Sequence, residues 1–257
     1  MKFSIRDFFP NFIYSRLWGN RKRWGLTPKA EDPCWQEWGR TYVDFYQSNQ
    51  RHGVGTIVND AGYRIMSGVD LSGKTVLEVG AGDIRHLDYL NGNPSEYILA
   101  DISNEMMEFA KSKLKDRGIS YKTILVDRNQ VLPIEKASVD VVISFYSLEH
   151  IYPLDPFIKD IDRVLKPNGI LVGAIPAEGG LAWGIGRFLT SRRWLKKKTK
   201  IDPDKIICWE HPNFADRIIK VINKNFLSIK IKYWPFRLLP FFDNNLIISF
   251  IYKKKSD

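Results

Sequence analysis

Five residues in the middle of the chain are spaced so that they could hold one ligand between them. Glu78, Gly80 and Gly82 fall in the run Val76-Leu77-Glu78-Val79-Gly80-Ala81-Gly82-Asp83, Asp101 follows 21 residues after Gly80, and Asp127 closes a further apolar run. Glycine has no Cβ, so a Gly-x-Gly segment can turn sharply and let a ligand approach the backbone. Many nucleotide-binding folds share that turn, so the acids carry the sharper information. A carboxylate at Glu78, just before the turn, can help hold the cationic amino group of an amino-acid moiety. An acid at Asp101 can accept both hydroxyls of a ribose. Asp127 can accept a hydrogen bond from an adenine amino group. A dinucleotide dehydrogenase has no use for Glu78 and would place a small residue where this chain has Arg85.

Three strand ends must bring these acids together. Thr75–Val79, Tyr97–Ala100 and Tyr121–Val126 read as strands that end at the glycines, at Asp101 and at Asp127. Val139–Phe145 is almost wholly apolar, as expected of a strand covered on both faces, and Ile170–Ile175 is a fifth. Helices are predicted over Ile84–Leu90, from Ser103 as N-cap through Lys115, over Asp155–Leu165 and over Asn213–Asn225. Met106, Met107, Phe109, Ala110 and Leu114 are available for the buried side of the second of these. Alternating strands and helices imply a parallel sheet wrapped on both sides. The last two strands, Leu227–Trp234 and Leu246–Tyr252, have a Pro-rich link too short for a helical crossover, so they should pair antiparallel. The expected fold class is α/β: a Rossmann-like, doubly wound, seven-stranded, mostly parallel sheet with the last strand antiparallel, plus an N-terminal helical cap. In such a sheet the strand ends at one edge form a single crevice.

Residues 74–175 resemble the type 11 group of class I S-adenosylmethionine-dependent methyltransferases. VLEVGAGD is similar to the family's first motif and LADIS to its second. VDRNQVLPIEKASVDVVISFYSLEHI is similar to the run in which an acid precedes "LPF", a "FDVV" strand and "LEH". VLKPNGIL is similar to the "LKPGG" turn before the fifth strand. The resemblance implies S-adenosyl-L-methionine as cofactor, bound by Glu78, Gly80, Ala81, Gly82, Asp101, Ile102, Met106, Asp127, Arg128 and Phe145. Where the family often has a third glycine, this chain has Ile84, which narrows the approach to the methionine tail.

Transfer of a methyl group to a hydroxyl or an activated carbon needs a base. His150, in the SLEHI segment, and His211, after the fifth strand, are the candidates, and Tyr146 could shape the pocket. The alternative for His150 is wall-lining or structural duty, and for His211 a place at the start of a helix before Pro212. His52 and His86 have no special claim. Cys208 and His211 have the spacing of half a metal site, but no second pair accompanies them, so no metal is expected.

Residues 1–65 are aromatic and basic and are expected to form a cap. Residues 66–257 are expected to form the cofactor-binding domain, with the insertion 176–210 as a lid. No acid occurs from Leu181 to Lys200, where Trp183, Phe188 and Trp194 alternate with arginines and lysines. Such a run suits a lid over a phosphorylated acceptor, an interfacial helix giving peripheral membrane contact through 181–200, or a nucleic-acid contact. The formal net charge of +10 favours anionic partners without choosing among them. Two distant cysteines, the lack of a secretory h-region and the lack of a long apolar run lead to the expectation of a cytoplasmic protein without a transmembrane helix.

The reading is a methyltransferase acting on a small-molecule, glycan or lipid-linked acceptor, with oxygen the favoured target. One rival is an RNA methyltransferase, although Ser144-Phe145-Tyr146-Ser147 stands where base-methylating enzymes carry an Asn/Asp-Pro-Pro-Tyr motif. The other is a non-catalytic binding protein that keeps the fold.

Overall fold

Largely apolar runs make the central strands of this chain, and the outer ones, Tyr121–Leu125 and Phe226–Trp234, carry lysines on their exposed positions. A computed structural model describes residues 4–50, 54–127 and 131–255. The N-terminal part contributes α1 (Asn11–Trp18), α2 (Arg21–Trp24), α3 (Pro33–Gln50) and α4 (Val54–Tyr63). Then come β1 (Thr75–Val79), β2 (Glu96–Asp101), α5 (Asn104–Asp116), β3 (Tyr121–Leu125), β4 (Val139–Phe145), α6 (Leu154–Val164) and β5 (Leu165–Pro176). The insertion folds as α7 (Leu181–Leu189), α8 (Ser191–Lys198) and α9 (Pro203–Glu210). The chain closes with α10 (Ala215–Asn225), β6 (Phe226–Trp234) and β7 (Ile247–Lys254).

The seven strands form one sheet in the order β3-β2-β1-β4-β5-β7-β6. β1 through β5 pair parallel, and β7 runs antiparallel to both β5 and β6. The register sets Val79 beside Ala100 and Asp101 beside Leu125, so the ends of β1, β2 and β3 share one edge. One face of the sheet buries Leu77, Val142 and Leu171 with Ile158 of α6 and Ile218 of α10. The other buries Val76, Leu99 and Ile143 with Val58 of α4 and Ala110 of α5.

Ser103 caps α5 as its sequence predicts, accepting a hydrogen bond from the Met106 amide. Met107, Ala110 and Leu114 are buried, whereas Phe109 is exposed rather than inward-facing. The helix expected over Ile84–Leu90 is instead a 3₁₀ segment, Arg85–Tyr89. Ile84 has φ of 41°, in the left-handed region, so the chain cannot run from the glycine turn straight into an α-helix. β5 begins earlier than expected, because α6 stops at Val164 and the backbone is already extended at Leu165.

The N-terminal segment packs on the insertion. Trp18 is fully buried and donates from Nε1 to the Gly180 carbonyl at 3.1 Å. Gly184 permits that closeness, since a Cβ there would lie 2.8 Å from Trp18 Nε1. The basic run from Leu181 to Lys200 divides in two. Arg187 and Arg192 turn inward to Glu178 and Asp204, while Arg193 and Lys196–Lys198 remain exposed. No helix among the described residues is long and apolar enough to cross a membrane.

Candidate active site

The glycine turn is built as its composition requires. Gly80 and Gly82 both adopt positive φ, 68° and 53°, where a side chain would be strained. Gly80 is also packed from one side: a Cβ there would fall 2.5 Å from Ser147 Cβ. Ser147 Oγ donates to the Val79 carbonyl at 3.0 Å, which locks the segment after β4 onto the end of β1. Gly82 is open, with Gly80 O and Met106 Cε at 3.9 Å the nearest atoms to a built Cβ. Ala81, between them, is buried.

Asp101 reaches the same turn. Its Oδ1 accepts from the Ser103 amide at 2.8 Å and its Oδ2 from the Gly82 amide at 3.4 Å. Burial pushes its carboxyl above the usual range, against the pull of those amides. The long contact to Gly82 leaves Oδ2 with acceptor capacity, which hydroxyl donors of a ligand could use. Ile102 beside it is 51% exposed, as an apolar residue lining an open cleft would be. Asp127 lies past the end of β3, exposed, one residue beyond an amide that donates to Asp101 O. Arg128 and His52 lie outside the described residues.

Glu78 sits beneath the turn rather than above it. Its side chain is 1% exposed and accepts a 2.5 Å hydrogen bond from Tyr97 Oη. His86 Nε2 lies 3.0 Å from the same hydroxyl. Desolvation lowers the His86 pKa to about 3, so the ring is neutral, and it must donate from Nε2 because the tyrosine proton is already directed at Glu78. Burial likewise raises the Glu78 carboxyl well above its usual range. Phe145 stacks on His86 at 4.9 Å and meets Tyr63 edge-on at 5.1 Å, so this residue supports the buried relay. An arriving ammonium group would restore the charged form of Glu78 by supplying the missing counter-charge.

Tyr146 is a strut. Its hydroxyl donates to the Asn59 carbonyl of α4 at 2.7 Å, and burial holds its pKa well above the usual value. Gly62 makes room for it, since a Cβ there would lie 2.2 Å from the Tyr146 hydroxyl oxygen.

Three residues past Ser147 the two candidate histidines meet, with ring centroids 4.7 Å apart at 86°. His150 Nδ1 donates to the Glu210 carbonyl at 2.6 Å and lies 3.3 Å from its carboxylate. Burial opposes a charge on His150, yet Glu210 and Glu149 prevail and raise its pKa to about 9. His150 therefore carries a proton at neutral pH and cannot accept another.

His211 is placed differently. Its Nδ1 lies 2.7 Å from Glu178 Oε2, which also receives Arg187 Nη1 at 2.6 Å and Trp183 Nε1 at 2.9 Å. Burial works against the Glu178 anion, but Arg187, His211 and Arg21 outweigh it and hold the carboxyl well below its usual range. An ionised carboxylate only accepts, so His211 donates to it from Nδ1, and Nε2 is the ring nitrogen not engaged by this pair. Among the described residues, Glu178 Oε1 and Glu149 Oε2 are buried without a hydrogen-bond partner. No cluster of three or more metal-ligating side chains occurs among the described residues.

Sequence reasoning reaches the turn, Asp101 and both histidines but misses Tyr97, Ser147, Glu149, Glu178, Arg187 and Glu210. Glu149 stands inside the SLEHI segment and could have been singled out there. Ser147 opens the same segment and Glu210 adjoins His211, whereas Tyr97, Glu178 and Arg187 are joined to the site only through distant pairing.

The strand order and the glycine turn at this edge of the sheet define a class by fold, the Rossmann-like α/β proteins. Residues 77–173 match a family model described as a methyltransferase domain. The chain is 32% identical over 109 residues to the ubiquinone/menaquinone biosynthesis C-methyltransferase UbiE of Shewanella oneidensis, which covers 42% of this chain and 41% of that protein. It thus spans about two fifths of the length of the curated relatives it matches. Among solved structures, the CurJ carbon methyltransferase aligns with a TM-score of 0.59 at 19% identity, over 95% of this chain and 67% of that one. The N-methyltransferase NodS from Bradyrhizobium japonicum, in complex with S-adenosyl-L-homocysteine, aligns with a TM-score of 0.51 at 15% identity, over 95% of this chain and 97% of that one.

Proposed function

We propose that the protein transfers a methyl group from S-adenosyl-L-methionine to a small-molecule, glycan or lipid-linked acceptor, with a hydroxyl oxygen as the target. The cradle fits the cofactor: the open face at Gly82, the accepting oxygen of Asp101 and the buried acid Glu78 all border one turn. Asp101 would hold the ribose, Glu78 and the Gly80–Gly82 backbone the methionine end, and Asp127 the adenine. When bound, the cofactor supplies an electrophilic methyl on a sulfonium sulfur.

The observation that carries the reading is the His211–Glu178 pair at 2.7 Å, on the same sheet edge as the turn and joined to it through Ser147 and His150. His211 Nε2 would accept the acceptor's hydroxyl proton as its oxygen takes the methyl group, the carbon–sulfur bond breaking and the sulfur leaving as a neutral thioether. Glu178 stabilises the imidazolium that results and fixes the ring's tautomer. His150, already protonated, holds the wall and orients through Glu210. A peripheral membrane contact through 181–200 belongs to this reading only for a lipid-linked acceptor, with Ile185 and Leu189 as its exposed apolar residues.

An activated carbon is the second reading for the target atom, and the named activities of UbiE and CurJ favour it. The same base would serve either target. An isotope-labelled methyl donor incubated with small-molecule, glycan, lipid and RNA fractions of a cell extract tests both. Label in a non-RNA fraction, lost in His211→Ala, supports the proposal, and mass spectrometry of the product then assigns oxygen or carbon. Label in RNA, or none in any fraction, contradicts it.

A further inference from the structure

A cavity of 180 Å³ lies away from the glycine turn, between α4 and the outer strands β6 and β7. Arg64, Lys232 and Arg237 line it together with Ile57, Tyr233 and Trp234. Among the described residues no acidic side chain lines it. Asp60, on α4 and four residues before Arg64, pairs instead with Arg85 at 3.4 Å. Lys232 is held below its usual pKa, first by burial and then by Lys230 and Arg237, as expected of cations gathered without a counter-charge.

Beside this basin runs the link Pro235–Phe241, which joins β6 to the 3₁₀ turn Phe242–Asn244. Its apolar side chains point outward: Leu238 is 95% exposed, and Phe236, Leu239 and Phe241 are each about half exposed. The link is not loosely held. Asn245, fully buried, donates from Nδ2 to the carbonyls of Leu239 and Phe241, both at 2.8 Å, and accepts from the Phe236 amide at 2.8 Å. A fixed backbone that presents several large apolar side chains to water marks a surface that another phase covers. Arg237, in the middle of the link, also lines the basin, so the apolar and cationic parts are one surface. Ile57 on α4, 63% exposed, extends it.

We propose that this face docks on an anionic phospholipid bilayer, with the 235–241 link entering the interface and the Arg64–Lys232–Arg237 basin receiving lipid phosphate groups. A bilayer offers both chemistries at adjacent depths, apolar chains below and anionic phosphates above. A nucleic acid would match the cations but would leave Leu238 and Leu239 in water. The surface is distinct from 181–200, and docking does not depend on methyl transfer.

Sedimentation of the full chain with vesicles tests the proposal. The chain should pellet with mixed phosphatidylcholine–phosphatidylglycerol vesicles, bind phosphatidylcholine alone weakly, and be released by salt. Leu238→Glu/Leu239→Glu should abolish the association, and Arg64→Gln and Arg237→Gln should each weaken it about fivefold. Calorimetric affinity for S-adenosyl-L-homocysteine should be the same in these variants as in the parent, showing that they fold and keeping this test separate from the methyltransferase reading. No pelleting with anionic vesicles, equal pelleting with neutral ones, or undiminished pelleting of Leu238→Glu/Leu239→Glu would overturn it.

Discussion

The Nδ1 atom of His211 lies 2.7 Å from a carboxylate oxygen of Glu178, a side chain with no solvent exposure. In that relation Nδ1 is the donating nitrogen, and Arg187 pairs with the same carboxylate oxygen. His211→Ala should therefore lower the rate of methyl transfer by about 10²–10⁴ while affinity for the cofactor stays unchanged. Initial rates together with calorimetry check both halves of that statement.

Glu178→Gln removes the anion from a buried cluster and leaves Arg187 without its counter-charge. Loss of one partner from such a pair costs about 3–5 kcal/mol, which urea denaturation would read. Because the Glu178 carboxyl is held below its usual range, its contribution is present above the unfolded value of 4.5 and disappears as pH falls through the lower folded value. The parent should lose stability in acid more steeply than Glu178→Gln does.

His150 carries the opposite sign. Its folded pKa of about 9 stands above the ordinary 6.5, so its contribution is complete below 6.5 and is lost as pH rises towards 9. Thermal unfolding between those limits should show declining stability in the parent and a flatter profile in His150→Gln.

Gly62→Ala would set a methyl group against the hydroxyl oxygen of Tyr146, at 2.2 Å before any adjustment. Forcing the ring away breaks its bond to Asn59 and overpacks the contact between α4 and the sheet. A loss of about 1–3 kcal/mol is expected in chemical denaturation.

The parts of the fold legible in the sequence are those fixed by local rules. The Val139–Phe145 run reads as a buried strand, Ser103 as the cap of a helix, and the short link before Leu246 as the closure of an antiparallel pair, and all three are found. Local rules fail at Ile84, where tertiary packing buries an isoleucine in a left-handed conformation and replaces a helix by a 3₁₀ turn. The histidines were legible as types, but their roles were not. His150 and His211 are told apart by Glu210 and Glu178, which lie 60 and 33 residues away in sequence. The basic run after Leu181 misleads for the same reason, since Arg187 and Arg192 are inward-facing partners of acids and only the lysines and Arg193 remain exposed.

Titration calorimetry of S-adenosyl-L-homocysteine into the parent and into Asp101→Ala tests most directly whether the Gly80–Gly82 turn is a cofactor cradle. The account predicts binding by the parent and a loss of about 1.5–3 kcal/mol in the variant, because ribose hydroxyls would lose a charged partner. No binding by the parent, or equal affinity in the two proteins, would contradict it.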